Sequence, residues 1–136
     1  MNSIICHCIK LRRVANMVTS YYDNAMQHSG LSVNQYSLLR NIQKQGTCSV
    51  SALAAHVRLE RTTLVRNLKP LLAKGYIEDL SLSGQRNRRL RLTKAGLAVL
   101  DIAVPLWERT QHEIEDLIGI PQLAVLEQTF AKLEKI

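Results

Sequence analysis

The chain has 136 residues, of which 46% are hydrophobic and only 4% aromatic, so it is long enough for one domain with an aliphatic core. No apolar run is long enough to cross a membrane. The charges near the N-terminus follow a very short apolar run, which is the reverse of a secretory signal. We therefore predict a cytoplasmic protein without a membrane partner. The three cysteines are an odd number, which argues against a disulfide framework.

The net charge of +7 is concentrated in one segment of the chain. Between Arg40 and Lys94 there are twelve lysines and arginines and three acids, a net charge of +9, whereas the remainder carries six bases and eight acids. A solvated basic face without a partner is the plainer interpretation. A basic excess confined to one segment is, however, typical of a protein that binds a polyphosphate. We predict double-stranded DNA as the partner, because the following elements form a pattern that suits it.

The N-terminal third of the chain predicts two helices. Apolar periodicity indicates a first helix at about 5–28, ended by Gly30, which suits the left-handed position after a helix. Ser32 is a good cap for a second helix at about 33–45, and Gly46 ends it.

A shorter pair of helices follows. Ser49 begins a third helix, residues 58–59 form a turn, and a fourth helix covers about 60–74. Leucines at helical spacing give the fourth helix an apolar stripe. Pro70 lies inside this helix, where we expect it to bend the last turn because a proline cannot donate a backbone hydrogen bond.

Two strands and two helices complete the chain. The strands are predicted at 76–82 and 88–93, with Leu90 and Leu92 facing the core and Arg89 and Arg91 facing outward, because side chains alternate along a strand. Thr93 is predicted to cap a long helix, bent near Pro105, that extends to about residue 118. Residues 119–121 break the helical pattern, and a last helix covers about 122–135.

This order of elements predicts a mainly α-helical fold with a small β-wing. A winged helix-turn-helix covers residues 32–93, and the amphipathic segments 1–30 and 94–136 flank it within a single chain, 1–136. Packing of the end segments against each other in one subunit is possible. Joining two subunits about a two-fold axis is favoured, because paired half-sites are usual in DNA recognition. Trp107 is predicted to lie in that dimer core.

The fourth helix carries side chains that read DNA. Arginine pairs with guanine, asparagine with adenine, and threonine with a thymine methyl group or a phosphate. An ordinary solvated helix face would more often carry Glu and Lys. In the wing, Arg86 is predicted to enter a minor groove and Arg88 and Arg89 to meet phosphates; for Arg89 and Arg91, pairing with Glu78 or Asp79 across the strands is the alternative. The predicted DNA-binding residues are Arg61, Thr62, Thr63, Arg66, Asn67, Lys69, Arg86, Arg88 and Arg89.

The segments RTTLVRNLKPLLAKGYI and LTKAG, together with the order of elements, resemble the MarR family of bacterial transcription regulators. The resemblance spans nearly the whole chain. It implies a homodimer that binds a pseudo-palindromic operator, usually as a repressor, and that is released by a small phenolic or lipophilic ligand or by oxidation. Two positions depart from the family pattern: Gly84 replaces an Asp that usually braces the arginine at 86, and Glu60 replaces a frequent Asp cap.

The resemblance extends in part to the peroxide-sensing branch of the family, in which a reactive cysteine near the start of the first helix is bound by tyrosines of the dimer interface. Cys8 is similar to that cysteine by its spacing to Tyr22 and Tyr36. Arg12 and Val33 stand where the branch has tyrosines. A cation at Arg12 would favour a thiolate.

Oxidation of Cys8 by a peroxide would give a sulfenic acid and then a disulfide with Cys6, Cys48 or a small thiol. The alternatives are an inert buried thiol with an unknown small ligand as the effector, or regulation without an effector. Cys6, His7 and Cys8 are consecutive and cannot all face one metal ion, so we predict no metal and no cofactor.

Competing classes of function fit the sequence less well. The chain has no nucleophile elbow, phosphate-binding glycine loop or paired carboxylate site, so we predict that it is not an enzyme. A winged-helix adaptor whose basic face binds an acidic protein is the alternative to DNA binding. Thr62, Thr63 and Asn67 would gain nothing from an acidic partner, which favours DNA.

Overall fold

The computed structural model describes residues 4–81 and 88–136. The helices in this part of the chain are α1 (His7–Ala25), α2 (Val33–Gln45), α3 (Val50–Val57), α4 (Arg61–Ala73), α5 (Lys94–Ile118) and α6 (Ile120–Leu133). The strands are β1 (Cys48–Ser49), β2 (Ile77–Asp79) and β3 (Arg89–Leu92). The predicted class, mainly α-helical with a small β-wing, is confirmed. None of the helices described is both long and apolar enough to span a bilayer.

Side-chain caps start three of the helices where the sequence predicted them. Ser32 accepts from the backbone N–H of Gln35 at 3.1 Å, and the Gln35 side chain accepts from the Ser32 N–H at 3.0 Å, so α2 begins with a capping box. Ser49 caps α3 by accepting from Ala52 N at 3.0 Å. Thr93 caps α5. These bonds satisfy N–H groups that no residue within the helix can reach.

Helix α4 starts without a side-chain cap. Glu60 is its N-cap and makes no side-chain cap hydrogen bond, as expected for a residue that caps poorly. The helix continues through Pro70 to Ala73, and Gly75 adopts φ +75° after it. Helix α5 likewise runs on through Pro105.

The three strands form an antiparallel sheet in the order β1-β3-β2. Cys48 pairs with Leu90, and Ile77 pairs with Leu92. The sequence did not predict β1, because two residues are too few to show an alternating pattern. The other two strands are shorter than predicted, and β2 ends at Asp79. Leu90 is fully buried, which confirms its predicted direction.

The core lies in the winged-helix part. Its fully buried large side chains include Leu39, Ile42, Leu53, Leu64, Leu68, Leu71 and Leu90. By contrast, α6 buries no residue, and α1 buries only Tyr22. Many large apolar side chains of the end helices are therefore left exposed, among them Ile9, Met17, Ile120 and Val125.

Polar contacts attach α1 to the rest of the subunit. The Tyr22 hydroxyl donates to Gln111 and the Tyr21 hydroxyl donates to Glu113, both on α5. The Asp23 carboxylate accepts from Val33 N at 2.7 Å. The first helix is shorter than predicted, because it starts at His7 and a 3-10 turn over Gln27–Ser29 follows it. Gly30 has φ +75° after that turn, as predicted.

Gly96 lets α5 dock against the backbone just before β2. A Cβ atom placed on Gly96 would lie 2.1 Å from the backbone oxygen of Tyr76. Thr93 reinforces the contact, since its hydroxyl donates to the carbonyl of Gly75 at 2.5 Å while accepting from Gly96 N at 3.1 Å. This close approach explains the glycine of the LTKAG segment.

Candidate nucleic-acid interface

Helix α4 separates its apolar and polar side chains onto opposite faces. Leu64, Leu68 and Leu71 are fully buried. Thr62, Arg66 and Lys69 are exposed and lie opposite, as the periodicity of 3.6 residues per turn requires. The centre of the exposed face is therefore a threonine followed by an arginine one turn later. Both are residue types that recognise bases or phosphates in a major groove.

Thr63 and Asn67 lie at one side of that face. Thr63 is half-buried, and Asn67 is exposed. Asn67 lines two clefts, of about 230 and 270 Å³, that separate α4 from the start of α2. Asn34 and Leu38 line both clefts as well. Asn67 therefore borders α2, and Arg66 also lines the smaller of the two clefts.

The start of α4 is connected to neighbouring elements through arginines. The Arg61 guanidinium lies 3.5 Å from the hydroxyl of Ser51 on α3. Arg58, in the turn between α3 and α4, has φ 56° and places its Nη1 atom 2.7 Å from Glu134 Oε2 at the end of α6. Both of these side chains are largely exposed. Such an exposed ion pair stabilises the fold little.

The arginines of the wing differ in their pairing. Arg91 donates to Glu78 at 2.5 Å, which confirms the cross-strand alternative for this residue. Arg88, predicted to meet a phosphate, donates to Asp79 at 2.8 Å. Arg89 is exposed, and no ion pair to it is found within the described ranges. The predictions for Arg86 and Gly84 fall outside the described residues.

Asp79 is held in its ionised form. Partial burial raises its pKa, but hydrogen bonds from Ser81 and Arg88 together outweigh this and hold the pKa at about 2. This lies below the usual aspartate value of about 3.9. The ionised carboxylate therefore stabilises the fold fully above about pH 4, and this contribution is lost as the pH falls towards 2.

A separate cavity opens between α2 and α5. Tyr36 and Trp107 stack at a ring separation of 5.5 Å. Burial raises the pKa of Tyr36 above its ordinary value, and the opposing effect of the neighbouring Arg40 is smaller. Trp107 stacks on Tyr36 of α2 within the chain, and its place in the dimer core stays a prediction. The cavity has a volume of about 340 Å³ and is lined by Val33, Tyr36, Ser37, Arg40, Asn41, Lys44 and Trp107.

The predicted redox residues are not brought together within one subunit. Cys8 is exposed near the start of α1. Tyr22 lies fourteen residues further along the same helix, which is about 21 Å at 1.5 Å per residue. Tyr22 bonds to Gln111, and Tyr36 stacks on Trp107. No hydrogen bond from either tyrosine to Cys8 is found among the described residues.

The other two cysteines differ sharply in environment. Cys6 is exposed as the N-cap of α1, whereas Cys48 is buried in β1. Burial raises the pKa of the Cys48 thiol, which disfavours its reactive thiolate form. Within residues 4–81 and 88–136, no group of three or more potential ligands is arranged for a metal ion.

Three residues near these sites were not singled out from the sequence. Asp79 was considered only as a pairing partner, yet it accepts three hydrogen bonds. The spacing of Asp79 and Ser81 before the arginine-rich loop was the available signal. Asn34 and Arg40 had none, since their importance comes from packing against α4 and α5.

Comparisons with known proteins agree with this geometry. Residues 31–84 match the model of the MarR family. The chain is similar to the transcriptional regulator MosR of M. tuberculosis solved in complex with DNA, with 33% identity over 96% of this chain and 97% of that one and a TM-score of 0.82. A second structure of MosR gives 32% identity, 97% coverage of both chains and a TM-score of 0.78. A cysteine-to-serine mutant of E. coli MarR complexed with operator DNA shares the fold, with 20% identity, 97% and 99% coverage and a TM-score of 0.80.

Proposed function

The chain belongs to the MarR family of DNA-binding transcriptional regulators, and we propose that it acts as a homodimeric repressor on a pseudo-palindromic operator. The observation that carries this proposal is the outward face of α4, where Thr62, Arg66 and Lys69 are exposed opposite a fully buried leucine stripe. Two such helices related by a two-fold axis would enter successive major grooves about 10 bp apart.

Surface area supports the homodimer. The subunit exposes 9837 Å², whereas a folded monomer of 15.4 kDa exposes about 7,200 Å² by the usual scaling with mass. The excess of about 2,600 Å² is about half of the roughly 5,000 Å² that large obligate dimers bury in total, and so matches one partner's share in such a dimer. The most exposed large apolar residues lie in or beside the end helices: Ile4, Met17, Leu117, Ile120, Val125 and Ile136.

The roles of individual DNA-binding residues are part of the proposal. Arg66 and Thr62 would contact bases, Asn67 would contact an adenine at the side of the helix that faces α2, and Arg61, Thr63 and Lys69 would contribute base or phosphate contacts. Arg89 supplies an exposed positive charge in the wing, and Arg86 is proposed for the minor groove on sequence grounds alone.

Two routes of release are compatible with the molecule. One wall of the cavity beside Trp107 is aromatic, and the cations Arg40 and Lys44 also line it. This lining suits a small aromatic ligand that carries a phenol or a carboxylate group. Oxidation of the exposed Cys8 would alter the region of the dimer helices. Either event would change the spacing between the two recognition helices. A small change of spacing lowers affinity because both half-sites must fit at once.

Selection from a random duplex library tests the function directly. We expect the intact protein to enrich two inverted half-sites centred about 10 bp apart. The logarithm of the binding constant should fall with the logarithm of salt concentration by about 0.9 per phosphate contacted. A lack of enrichment and a flat salt dependence would instead favour the adaptor with an acidic protein partner.

Two variants separate the roles of helix and wing. Asn67→Ala should weaken binding mainly to the selected duplex, because it removes a base contact worth about 1–3 kcal/mol. Arg86→Ala should weaken binding to selected and random duplexes alike and reduce the salt slope. Equal losses on both duplexes for both variants would contradict the division of roles.

A further inference from the structure

The carboxylate of Asp79 lies at the point where β2 ends. Its Oδ1 atom accepts from the backbone N–H of Ser81 at 2.9 Å and from the Ser81 hydroxyl at 2.6 Å. Its Oδ2 atom accepts from Arg88 Nε at 2.8 Å. We refer to the group formed by Asp79, Ser81 and Arg88 as the wing clamp. The clamp joins the segment that leaves β2 to the segment that enters β3.

Arg88 also connects the clamp to the helix-turn-helix. Its backbone carbonyl accepts from Val50 N at 3.0 Å, and Val50 is the first residue of α3. The neighbouring residue, Arg89, uses its carbonyl to accept from Leu80 N at 2.7 Å. Arg88 is therefore held by β2 through its side chain and by α3 through its backbone.

The adjacent acidic residue forms a different kind of pair. Glu78 and Arg91 face each other in the register of β2 and β3 and form one ion pair with exposed fractions of 41% and 53%. The side chains of Asp79 and Arg88 are only 25% and 30% exposed. No bond from the Glu78–Arg91 pair to the helix-turn-helix is seen in the described part of the chain.

We propose that the wing clamp is a positioning device, in which Asp79 holds Arg88 and thereby fixes the direction in which β2 and β3 approach DNA. In this arrangement Arg88 is a positioning residue and not a phosphate contact. The inference rests on the proposed function as a DNA-binding regulator. It assigns the negative charge of Asp79 a favourable effect on DNA binding, although an acid close to a phosphate backbone is otherwise unfavourable.

The matched variants Asp79→Asn and Glu78→Gln test whether the negative charge of Asp79 favours DNA binding. Each removes one negative charge from the wing, so an effect of charge alone would strengthen DNA binding in both. We expect Glu78→Gln to bind a duplex selected from the random library equally well or a few-fold more tightly. Asp79→Asn should bind it about 10-fold more weakly. Hydroxyl-radical protection should disappear at the flanks of the footprint and remain at its centre. Asp79→Asn should also melt at a lower temperature than Glu78→Gln, because it alone loses a carboxylate that stabilises the fold.

The salt dependence of a third variant distinguishes positioning from direct contact. Arg88→Gln should weaken binding with an unchanged slope of log K against log salt, whereas loss of a phosphate contact would reduce the slope by about 0.9. Equal tightening by Asp79→Asn and Glu78→Gln, or a reduced slope for Arg88→Gln, would overturn the proposal. Ser81→Ala, which keeps the ion pair, serves if Asp79→Asn does not fold, and it should give a smaller loss of the same flank protection.

Failure of the clamp and failure of the proposed function give different results. If the wild-type protein binds no duplex, the proposed function is wrong, and the clamp is then tested by amide hydrogen exchange. The Val50 amide, which donates to Arg88, should exchange faster in Asp79→Asn than in Glu78→Gln. Equal exchange in the two variants would refute the clamp itself.

Discussion

The winged-helix part and the end helices place similar apolar residues in opposite environments. Leu64 and Leu90 in the winged helix are fully buried, whereas Leu117 and Ile120 at the junction of α5 and α6 are 82% and 85% exposed. One region completes its core within a single chain. The other leaves large apolar side chains exposed, and we propose that a second copy of the chain covers them. On that proposal, DNA binding and subunit pairing are carried out by different parts of the chain, which the long helix α5 connects.

The largest expected effect comes from breaking the dimer region. The double substitution Leu117→Glu and Ile120→Glu would place two carboxylates in an apolar interface, where unpaired charges are strongly unfavourable. We expect a monomer by sedimentation, with unchanged helical content. Affinity for the selected duplex should fall by about 100-fold or more, because the gain from two linked half-sites is lost.

A control on the same helix sharpens this test. Gln128→Glu adds a carboxylate at an exposed position of α6 and should leave the protein dimeric. A dimeric double variant would show that the exposed residues at the junction of α5 and α6 do not form the interface.

The next largest effect is expected where the two regions meet. Gly96→Ala would place a methyl group 2.1 Å from the Tyr76 backbone oxygen, which no side-chain rotation can relieve. Overpacking of this kind costs about 1–3 kcal/mol or more, so we expect the free energy of unfolding to fall by about 3 kcal/mol in urea denaturation. Ala95→Ser, one residue earlier and exposed, is the control and should change it by less than about 0.5 kcal/mol. A stable Gly96→Ala variant would mean that α5 docks more loosely than described.

The sequence predicted the winged helix well because its signals are local. Ser32 and Ser49 cap helices at the predicted positions, and Leu90 faces the core as the alternation along β3 required. Strand β1 escaped prediction because Cys48 and Ser49 become a strand only by pairing with β3. A local sequence pattern cannot predict a strand that forms only because a neighbouring strand pairs with it.

The candidate site was predicted less completely, for a related reason. The polar face of α4 follows from helical periodicity, so Thr62, Arg66 and Lys69 were found. The pairing of Arg88 with Asp79 depends on the register of two strands and on where they end, which composition does not fix. The stacking of Trp107 on Tyr36 likewise depends on how α5 crosses α2.

A moderate effect is expected for ligand binding in the cavity between α2 and α5. The chain has a single tryptophan, so fluorescence of Trp107 reports directly on a ligand beside Tyr36. Titration with 4-hydroxyphenylacetate, used as a probe because it carries both a phenol ring and a carboxylate, should quench it. Arg40→Gln should weaken its binding about 10-fold, since a hydrogen bond to a charged group contributes about 1.5–3 kcal/mol. Lys135→Gln, which removes a cation at the distant end of the chain, should bind normally. Quenching that is equal in the wild type and in Arg40→Gln would show that this cation does not hold the carboxylate.

The smallest effect is expected from the cysteines, where exposure should decide reactivity. Cys8 is exposed, while burial raises the pKa of Cys48 and disfavours its thiolate. Cumene hydroperoxide should therefore transfer one oxygen atom to the Cys8 thiolate, giving a sulfenic acid and cumyl alcohol. We expect this to weaken operator binding a few-fold in the wild type and in Cys48→Ser, but not in Cys8→Ser. Cys8 lies on α1, whereas Cys48 lies on β1. If peroxide still weakened operator binding in Cys8→Ser but not in Cys48→Ser, the oxidised residue would be Cys48, in the sheet of the winged helix.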